Sequence, residues 1–398
     1  MTHNFKNKVN YLVGKRKVLN ESSAPYNENI CNFISEFSKE LNNNKFSKNF
    51  PDIKTLAFWC RKKNILNLKK KFISNKTRVG LGLIFHLTPS NIPTNFAYSL
   101  IFGLITGNSN IVKVPSKKFE QISIICDALN KVLNKKKFSF AKKMIVVVRY
   151  RDNDNYTKKI SSICNARLIW GGDETIKNIR MFKLQQRAID IAFTDRYSFC
   201  AIDTKKFLKL NNYETILLTN KFYNDTYLVD QNACSSPHLV VWLGKNMSEA
   251  RNKFWNTLYK SVSKKYDMPE IASIDKYNKL CENILSYKNL KQQEKYGNSI
   301  YTVMLKNLDK NPNNIRGKWG FFYEYNAGNL NKIAKYINNK YQTFTYFGLE
   351  KNVLKNFILN NNLSGIDRIV PIGQALEMDF YWDGYDINKT LTRVVDIK

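Results

Sequence analysis

The amino-acid sequence predicts an α/β protein with parallel sheets that are covered by helices on both faces. First, short apolar runs alternate with segments of helical periodicity from residue 79 onward. Second, runs such as "KMIVVVRY" are almost continuously apolar, which is typical of strands buried on both faces. Third, a chain of 398 residues with 43% hydrophobic content can bury more than one core. In parallel sheets of this kind, ligands bind beyond the carboxyl ends of the strands.

Residues 1–78 are rich in Lys and Asn and are predicted to form a helical segment without chemistry of its own. In "ENICNFISEFSKELNNN", Ile30, Phe33, Ile34 and Phe37 follow the i, i+3, i+4, i+7 spacing of a surface helix. The start of the chain, "MTHNFKNKVNYLVGKR", lacks the apolar region of a secretory signal. The most apolar run, "FAYSLIFGLIT", is shorter than the ~20 residues that a membrane-spanning helix needs. We therefore expect a cytoplasmic protein without a membrane span.

Residues 79–203 are predicted to hold five strands with helices between them. The strands are "VGLGLIFHL", "NSNIVKVPS", "KMIVVVRY", "ARLIWGG" and "AIDIAFT", and the helices include "NFAYSLIFGLITG" and "KKFEQISIICDALNKVL". The first helix ends at Gly107, a suitable position for the glycine that terminates a helix. The turns "TPSN", "PSK" and "GGDE" follow the first, second and fourth strands. They are therefore expected at the ligand-binding edge of the sheet.

Residues 204–370 are predicted to form a second series of strands and helices. Its strands are "YETILLT", "HLVVWLG" and "NSIYTVML", and helices are expected near 247–264, 329–339 and 349–358. The last segment, 371–398, is mixed and aromatic and is predicted to serve packing or subunit contact.

The charge and the cysteine content restrict the function classes. The net charge of +32 raises the alternative of a nucleic-acid-binding protein, although no zinc-finger, RNP or helix-turn-helix signature accompanies it. Over-use of Lys, Asn and Ile together explains the charge without a nucleic-acid partner. Residues 53–119 hold twelve Lys or Arg and no Asp or Glu, a local field that favours a polyanionic cofactor. The seven scattered cysteines favour neither disulfides nor a metal site.

Single residues in the polar turns are ambiguous when each is considered alone. A lone cysteine such as Cys234 is more often an inert core residue than a nucleophile. Asn91 could be a simple turn residue, and Lys113 a solvated surface charge. His86 is predicted to be a satisfied core histidine, and His238 either polarises the Cys234 thiol or starts an apolar strand.

Two further turns carry glycines. Gly171 and Gly172 allow a phosphate to approach the backbone, or form a plain tight turn. Gly80 and Gly82 begin a G-x-G, but Phe85 takes the place of the third glycine, so the dinucleotide fingerprint is absent.

The order of these residues along the chain resembles the aldehyde dehydrogenase superfamily. "PSNIP", "GNSNIVKVPSK", "WGGDE" and "QNAC" match, in that order, its Pro-x-Asn-x-Pro turn, its Lys-containing strand end, its Gly-x-x-Glu turn and its Gln-x-x-Cys nucleophile. Within the superfamily, "HLTPSNIPTNFAYSLIFGLITGNSNIVKVPSK", "DQNACSSPH" and "RIVPIGQALEMDFYWDGYD" are similar to LuxC-type acyl-CoA (long-chain fatty acid) reductases. The resemblance extends from about residue 79 to the C-terminus.

The resemblance implies an aldehyde dehydrogenase-like fold. Residues 79–203 would be a Rossmann-like NADP(H)-binding domain, 204–370 an α/β catalytic thiol domain, and 371–398 a C-terminal packing or oligomerisation segment. It implies NADPH-dependent reduction of a long-chain acyl-CoA, or another acyl thioester, to the free aldehyde. Cys234 would carry the acyl group as an acyl-cysteine, and Asn91 would face the oxyanion.

The resemblance also assigns the cofactor-binding residues. Pro89 and Ser90 would face the cofactor, Lys113 and Ser116 would hold the adenosine ribose, and Gly171 and Gly172 would form the pyrophosphate turn. Where NAD-preferring relatives often have a glutamate, this chain has Lys117. A lysine attracts a 2′-phosphate, so NADPH is expected rather than NADH.

The segment "IAFTDRYSFC" lacks the glutamate that activates water in the hydrolytic members of the superfamily, which disfavours hydrolysis. The expected partners are an acyl-CoA or acyl-carrier thioester, an acyl-protein synthetase, an acyltransferase and further copies of the chain. Neither a metal nor a nucleic acid is expected. The nearest alternative is an acyl-phosphate reductase of the same superfamily, which would share the Cys234 chemistry. The "IGQALEMDF" block favours the LuxC type.

Overall fold

The computed structural model describes residues 9–398 apart from 16, 17, 19, 73, 75, 152, 153 and 287. The first eight residues, on which the expectation about a secretory signal partly depends, lie outside this range. The chain forms two compact units, residues 1–195 with 378–398, and residues 196–377. The described part of 1–78 therefore belongs to the first unit, and 371–398 is divided between the two. No helix in the described part of the chain is both long and apolar enough to cross a membrane.

The first 195 residues supply seven α-helices and seven strands to the described structure. The helices are α1 (Glu28–Asn43), α2 (Pro51–Trp59), α3 (Lys62–Lys71), α4 (Asn95–Ile105), α5 (Glu120–Leu133), α6 (Asp154–Ile163) and α7 (Asp173–Arg180). The strands are β1 (Asn10–Val13), β2 (Thr77–Gly80), β3 (Leu83–Leu87), β4 (Ser109–Val114), β5 (Ile145–Arg149), β6 (Ala166–Trp170) and β7 (Ile189–Phe193).

The remaining residues form the second unit and a C-terminal return to the first. The helices are α8 (Thr204–Leu208), α9 (Asn212–Thr226), α10 (Met247–Lys265), α11 (Glu270–Ser286), α12 (Lys351–Asn360) and α13 (Ile387–Thr390). The strands are β8 (Tyr197–Asp203), β9 (Pro237–Leu243), β10 (Leu290–Tyr296), β11 (Ile300–Leu305), β12 (Phe321–Gly328), β13 (Tyr341–Phe347), β14 (Arg368–Pro371), β15 (Tyr381–Trp382), β16 (Tyr385–Asp386) and β17 (Thr392–Val395).

The first unit is built on a sheet whose described strands lie in the order β1-β5-β4-β3-β6-β7. All neighbours are parallel except β1, which is antiparallel to β5. The chain proceeds from β3 through β4 to β5 on one side, and continues with β6 and β7 on the other. The strand order therefore reverses between β3 and β6, and ligands bind at such a switch point. The predicted parallel, doubly covered sheet is confirmed for this unit.

The predicted strand "VGLGLIFHL" is wrong in one respect, because two strands of different sheets replace it. β2 pairs with β17, and β3 lies in the centre of the main sheet. The chain changes direction at Gly82, whose φ of +126° is a conformation that side chains rarely adopt. A Cβ at Gly82 would also clash with the side-chain oxygens of Asn20 and Asn165.

The second unit contains a sheet with the described order β10-β11-β12-β9-β8-β13-β14, parallel except for β10. "YETILLT", predicted as a strand, lies in α9. Asn211 and Glu214 form a capping box at the start of this helix, each side chain bonding to the other residue's backbone N–H. Leu218 and Phe222 are then buried four residues apart, which fits a helix better than a strand.

A buried carboxylate holds the sheet of the second unit to α10. Glu324 on β12 is fully buried and forms a bidentate ion pair with Arg251, at 2.7 Å between Oε1 and Nη2 and 2.8 Å between Oε2 and Nε. Its Oε2 also accepts hydrogen bonds from the indole N–H groups of Trp242 and Trp255. Removal of one partner leaves an uncompensated buried charge, which is costly.

We therefore predict that Glu324→Gln lowers the free energy of unfolding by about 3 kcal/mol, because Arg251 stays buried without its bidentate partner and keeps only Glu294, 3.6 Å from its Nη1. Urea denaturation followed by circular dichroism measures this change. Glu350→Gln is the matched control, since Glu350 is 77% exposed and lies 3.7 Å from Lys206. The control should change stability by less than about 0.5 kcal/mol. Equal effects of the two substitutions would contradict the role of Glu324.

Candidate active site

Cys234 lies at the corner of a β-turn immediately before β9. The backbone N–H of Ser236 donates to the carbonyl of Ala233 at 3.0 Å and closes this turn. β9 is parallel to its neighbours β8 and β12, so the turn lies at the amino edge of the sheet in the second unit. Cys234 is partly exposed, whereas Ala233 and Ser236 are buried. The turn therefore fixes the backbone of Cys234 and leaves this residue partly exposed.

Side chains distant in sequence hold this turn in place. The Ser198 hydroxyl on β8 donates to the Cys234 carbonyl at 2.6 Å and accepts a hydrogen bond from the Thr343 N–H at 3.1 Å. The Ser236 hydroxyl donates to the carbonyl of Asp225 at 2.7 Å. A buried carbonyl or N–H group without a partner would cost free energy, because it has lost its bonds to water. Each of these hydrogen bonds removes that cost and so stabilises the turn.

Gln231, three residues before Cys234, is buried, and its side chain bonds to three backbone groups. Its side-chain amide donates to the carbonyls of Pro237 and Phe321, and its oxygen accepts from the N–H of Gly320. Gln231 and its neighbour Asp230 both have left-handed backbones, with φ of +60° and +53°. Such conformations are costly for residues other than glycine and persist only where surrounding bonds fix them. The three bonds of Gln231 provide this constraint.

Asp225 connects the thiol turn to the C-terminal sequence block. Its buried carboxylate accepts hydrogen bonds from the N–H groups of Gly373 and Ala375, at 2.6 and 2.8 Å. Burial raises the pKa of this carboxyl to about 7, against the lowering effect of those two bonds. The same residue accepts the Ser236 bond through its backbone, so α9 holds both segments.

The other cysteines lie in different environments. Five of the seven are buried, namely Cys31, Cys60, Cys126, Cys164 and Cys200, and only Cys234 and Cys281 are partly exposed. Burial raises the pKa of all five buried thiols. A raised pKa disfavours the thiolate, the reactive form. Among the cysteines, Cys234 is therefore distinguished by exposure together with a turn that is fixed on several sides.

His238 is a core histidine and not a cationic partner of the thiol. It is buried, its ring stacks on Tyr197 with 5.5 Å between centroids, and burial lowers its pKa to about 3. Its Nδ1 has no hydrogen-bond partner in the described residues. At neutral pH the imidazole is uncharged, so it adds no positive charge beside Cys234.

The candidate cofactor residues of the first unit converge on one edge of its sheet. Pro89, Ser90 and Asn91 follow β3, and Leu87 at its end pairs with Lys113 of β4 on one side. Gly171 and Gly172 follow β6, the neighbour of β3 on the other side. These turns therefore flank the switch point between β3 and β6. Asn91 is exposed and belongs to this unit, whereas Cys234 belongs to the second unit.

Lys113, Ser116 and Lys117 extend this edge at the end of β4. Lys113 is partly buried, with its Nζ 5.2 Å from the centroid of the Tyr150 ring, and its carbonyl accepts the Thr88 hydroxyl at 2.8 Å. Ser116 and Lys117 are exposed. The Nζ of Lys117 lies 5.0 Å from the centroid of the Phe119 ring, a favourable cation–π distance.

The two helix N-termini at this edge differ in charge. Gly172 is the N-cap of α7, and a Cβ there would meet no atom within 4 Å, so a ligand could approach its backbone. The first turn of α7, however, carries Asp173 and Glu174. The first turn of α4, which follows Asn91, carries no acidic residue. A helix N-terminus is partially positive and attracts anions. Because no carboxylate lies in the first turn of α4, its N-terminus is the more favourable of the two positions for a negative charge.

A buried hydrogen-bond chain fixes α4 against the sheet, which the sequence did not predict. Trp170 donates to the Ser99 hydroxyl at 3.0 Å, and Ser99 bonds to Nδ1 of His86 at 2.7 Å. Nε2 of His86 bonds to Oδ1 of Asn110 at 2.9 Å, and the Asn110 amide donates to Asn108. Burial lowers the His86 pKa to about 4, so the ring is neutral. The predicted core role of His86 is confirmed.

Similar folds occur in solved aldehyde dehydrogenases. An NAD-dependent benzaldehyde dehydrogenase from Corynebacterium glutamicum is 12% identical with a TM-score of 0.59, and the match covers 93% of this chain and 85% of that one. A 1-pyrroline-5-carboxylate dehydrogenase from Thermus, crystallised with bound NAD, is 10% identical with a TM-score of 0.59 and coverage of 92% and 80%. The protein therefore has an aldehyde dehydrogenase-type α/β fold, as predicted.

Sequence comparison narrows this class. The family model of the LuxC acyl-CoA reductases matches residues 23–394, so the chain belongs to that family. A long-chain acyl-protein thioester reductase from Photorhabdus luminescens is 24% identical over 299 residues, and the match covers 73% of this chain and 58% of that protein. This chain thus matches little more than half the length of that relative. The predicted family is confirmed.

We predict that His238 has no part in activating Cys234. Because the His238 pKa is about 3, the ring is neutral throughout the neutral range and cannot stabilise a thiolate by charge. The pH dependence of Cys234 alkylation by iodoacetamide should therefore have the same midpoint in His238→Gln as in the unsubstituted protein, within about 0.3 pH units. A midpoint raised by one unit or more would instead indicate an imidazolium–thiolate pair.

Proposed function

We propose that this protein reduces a long-chain acyl thioester to the free aldehyde, with Cys234 as the nucleophile. The Cys234 thiolate attacks the carbonyl carbon, a new C–S bond forms, and the carrier leaves as its thiolate. The acyl group is then held on Cys234 as a thioester. When bound, NADPH supplies the hydride that converts this acyl group to the aldehyde level. Release of the aldehyde regenerates the Cys234 thiol.

The observation that carries this proposal is the fixed turn around Cys234. A nucleophile that both forms and releases an acyl group needs a stable position during both steps. Ser198, Gln231 and Ser236 hold the backbone of the turn, while Cys234 stays partly exposed. Family membership supports the substrate class, since the Photorhabdus relative is named for a long-chain acyl-protein thioester.

Asn91 is proposed to donate its side-chain amide to the oxyanion that forms during attack. It lies between the carboxyl end of β3 and the acid-free N-terminus of α4, a region favourable to negative charge. The buried Trp170–Ser99–His86 chain fixes α4 to β3, the two elements that flank the segment to which Asn91 belongs. Preorganised donors of this kind contribute about 3 kcal/mol in a transition state.

The residues at the edge of the first sheet fit a nicotinamide dinucleotide. Pro89 and Ser90 lie beside the switch point, and Lys113 and Ser116 lie at the end of β4. Gly171 and Gly172 follow β6, where Gly172 has open space at its backbone and Gly171 lies against the side chain of Thr175. Lys117 is exposed beside Ser116, where its ammonium would attract a 2′-phosphate. Asp173 and Glu174 oppose phosphate at α7, so the lysines are proposed to provide the main attraction.

Hydrolysis of the acyl-cysteine would be a wasteful side reaction. The segment from Ile191 to Cys200 contains one carboxylate, Asp195, and no glutamate that matches the water-activating residue of hydrolytic relatives. The acyl group is therefore proposed to persist until it is reduced. The acyl donor is CoA or a carrier protein, and an acyltransferase and an acyl-protein synthetase are the proposed partners. We propose that the protein acts in the cytoplasm.

The direct test compares two partly exposed thiols. With a long-chain acyl-CoA and NADPH, Cys234→Ser should lower aldehyde formation by at least about 1000-fold, because a hydroxyl is a far weaker nucleophile at neutral pH. Cys281→Ser is the matched control and should retain the full rate. Gas chromatography of the aldehyde measures both. Full activity of Cys234→Ser would refute the proposed mechanism.

For Asn91→Ala we expect kcat to fall by about 100-fold or more, because the oxyanion loses a donor in the transition state. NADPH affinity, measured by fluorescence titration without substrate, should stay within about twofold. An unchanged kcat would restrict Asn91 to a structural role in its turn.

For Lys117→Glu we expect the ratio of NADH to NADPH dissociation constants to fall by roughly fivefold or more, because a carboxylate repels the 2′-phosphate. Fluorescence titration of the two cofactors measures this ratio independently of turnover, and higher salt should reduce the unsubstituted preference. Lys335→Glu, an exposed substitution in the second unit, is the control for the change in net charge. A preference for NADH in the unsubstituted protein would refute the placement of Lys117.

A further inference from the structure

Helix α3 carries a dense group of positive charges on the surface of the first unit. Half of the Lys and Arg residues in the acid-free stretch 53–119 lie within residues 61–71. All of them are exposed, namely Arg61, Lys62, Lys63, Lys69, Lys70 and Lys71. Lys71 lies 3.2 Å from Asp379, but the other lysines of α3 form no ion pair within the part of the chain that the structure describes. Their charges are therefore not compensated by direct contacts there.

The outward face of α3 places an exposed leucine between these lysines. Leu66 is 39% exposed, whereas Ile65 and Leu68 of the same helix are buried. Side chains three and four positions away are neighbours on a helix surface. For Leu66 these positions are all lysine, namely Lys62, Lys63, Lys69 and Lys70. The helix therefore presents one apolar side chain surrounded by four ammonium groups.

A second exposed apolar side chain lies near the start of α3. Phe58, in the last turn of α2, is 54% exposed, and the guanidinium carbon of Arg61 lies 4.6 Å from the centroid of its ring. The Asn64 amide donates to the Phe58 carbonyl at 2.7 Å and joins the end of α2 to α3. Phe58 thus repeats the combination of an exposed apolar group and a cation. We call Phe58, Arg61, Leu66 and the four lysines around Leu66 the basic α3 surface.

The positive charges at the start of α3 are unfavourable for the helix itself. Lys62 and Lys63 lie in its first turn, which has no acidic residue, and Arg61 at the N-cap makes no side-chain capping bond. Because a helix N-terminus is partially positive, cations at this position lower helix stability. Glu28 of α1 offsets part of the charge, since Glu28 and Lys62 shift the pKa of the Cys31 thiol in opposite directions. An anionic partner would offset the remainder.

The two apolar side chains favour an anionic membrane over a nucleic acid as this partner. Helices that lie on membranes insert apolar side chains at the headgroup level, while their Lys and Arg residues contact anionic lipids. Lysine side chains are long enough to reach the headgroups beside an inserted residue. A nucleic acid would also attract the lysines, but its phosphates would surround Leu66, where an apolar side chain makes no favourable contact.

We propose that the basic α3 surface binds the surface of an anionic lipid bilayer, with Leu66 and Phe58 inserted among the headgroups and the lysines beside lipid phosphates. A single short helix with few apolar residues gives reversible, peripheral binding, which should weaken as salt rises. This inference does not rest on the proposed function, because no residue of the basic α3 surface belongs to the candidate active site.

Flotation of the full chain with lipid vesicles tests the role of the charges. We expect binding to vesicles of phosphatidylcholine mixed with phosphatidylglycerol, and little binding to phosphatidylcholine alone. Lys63→Glu combined with Lys70→Glu should lower the partition coefficient at least about 20-fold, because each lysine near such a surface contributes about fivefold. Lys351→Glu combined with Lys355→Glu on α12 is the matched control, since these exposed substitutions change the net charge equally. The control should lower binding less than about threefold.

The absence of binding to the anionic vesicles, or an equal loss in the two double variants, would overturn the proposal. Duplex DNA is the competing ligand in this comparison. If the α3 double variant lost binding to DNA but kept its binding to vesicles, the surface would serve nucleic acid and the proposal would be wrong. The midpoint of urea denaturation should be the same in all variants, so that a loss of binding does not reflect a loss of fold.

Leu66→Ser tests the insertion of the apolar side chain. Its partition coefficient on the anionic vesicles should fall about fivefold or more, because the inserted leucine no longer buries apolar surface. Leu359→Ser on α12 is the matched control, since Leu359 is 58% exposed and lies outside the basic α3 surface. Unchanged binding of Leu66→Ser would reduce the contact to electrostatic adsorption and overturn the proposed insertion.

Discussion

The position of Cys234 depends on a short turn whose buried backbone groups must all be satisfied. A turn before a buried strand loses the water that would otherwise bind its carbonyls and N–H groups. Ser198, Gln231 and Ser236 replace that water with bonds to β8, β12 and α9. These bonds maintain two consecutive left-handed residues, Asp230 and Gln231, which a free chain would avoid. Cys234 can then stay partly exposed while the position of its backbone remains fixed.

The two units contribute different physical properties to the proposed reaction. The second unit provides rigidity at the amino edge of its sheet, where Cys234, the proposed nucleophile, lies. The first unit provides a carboxyl edge with a switch point, an acid-free helix N-terminus after Asn91, and lysines at the end of β4. A thioester reductase needs both, because it must hold a covalent acyl group and bind an anionic dinucleotide. Acyl-CoA reductase family membership is consistent with this division.

Elements with continuous apolar runs, such as β5 and β9, were predictable from sequence because burial on both faces leaves few alternatives. α9 was not, because its Thr and Ile residues favour strands until the capping box at Asn211 is recognised. α11 was also missed, because the polar residues Lys276 and Asn283 share its buried face with Ala272 and Leu280, while apolar residues of the same helix lie exposed.

The candidate site shows the same division. Cys234, Asn91 and Lys113 are each ambiguous alone, and they became candidates because the order of their turns along the chain resembles that of a known superfamily. Ser198 and Gln231 bond to groups 36 and 90 residues away, and no local pattern reveals such partners. The chain from Trp170 to His86 is likewise visible only when α4 packs on the sheet. The candidate residues could therefore be named from the sequence, whereas the bonds that fix their positions could not.

The most direct measurement is intact-mass spectrometry after incubation with a long-chain acyl-CoA in the absence of a nicotinamide cofactor. The proposed mechanism predicts the addition of one acyl group, located on Cys234 by peptide mapping and lost in Cys234→Ala. Later addition of NADPH should remove the acyl group as aldehyde. An acyl group on another cysteine, or aldehyde formation by Cys234→Ala, would contradict the central role of this thiol.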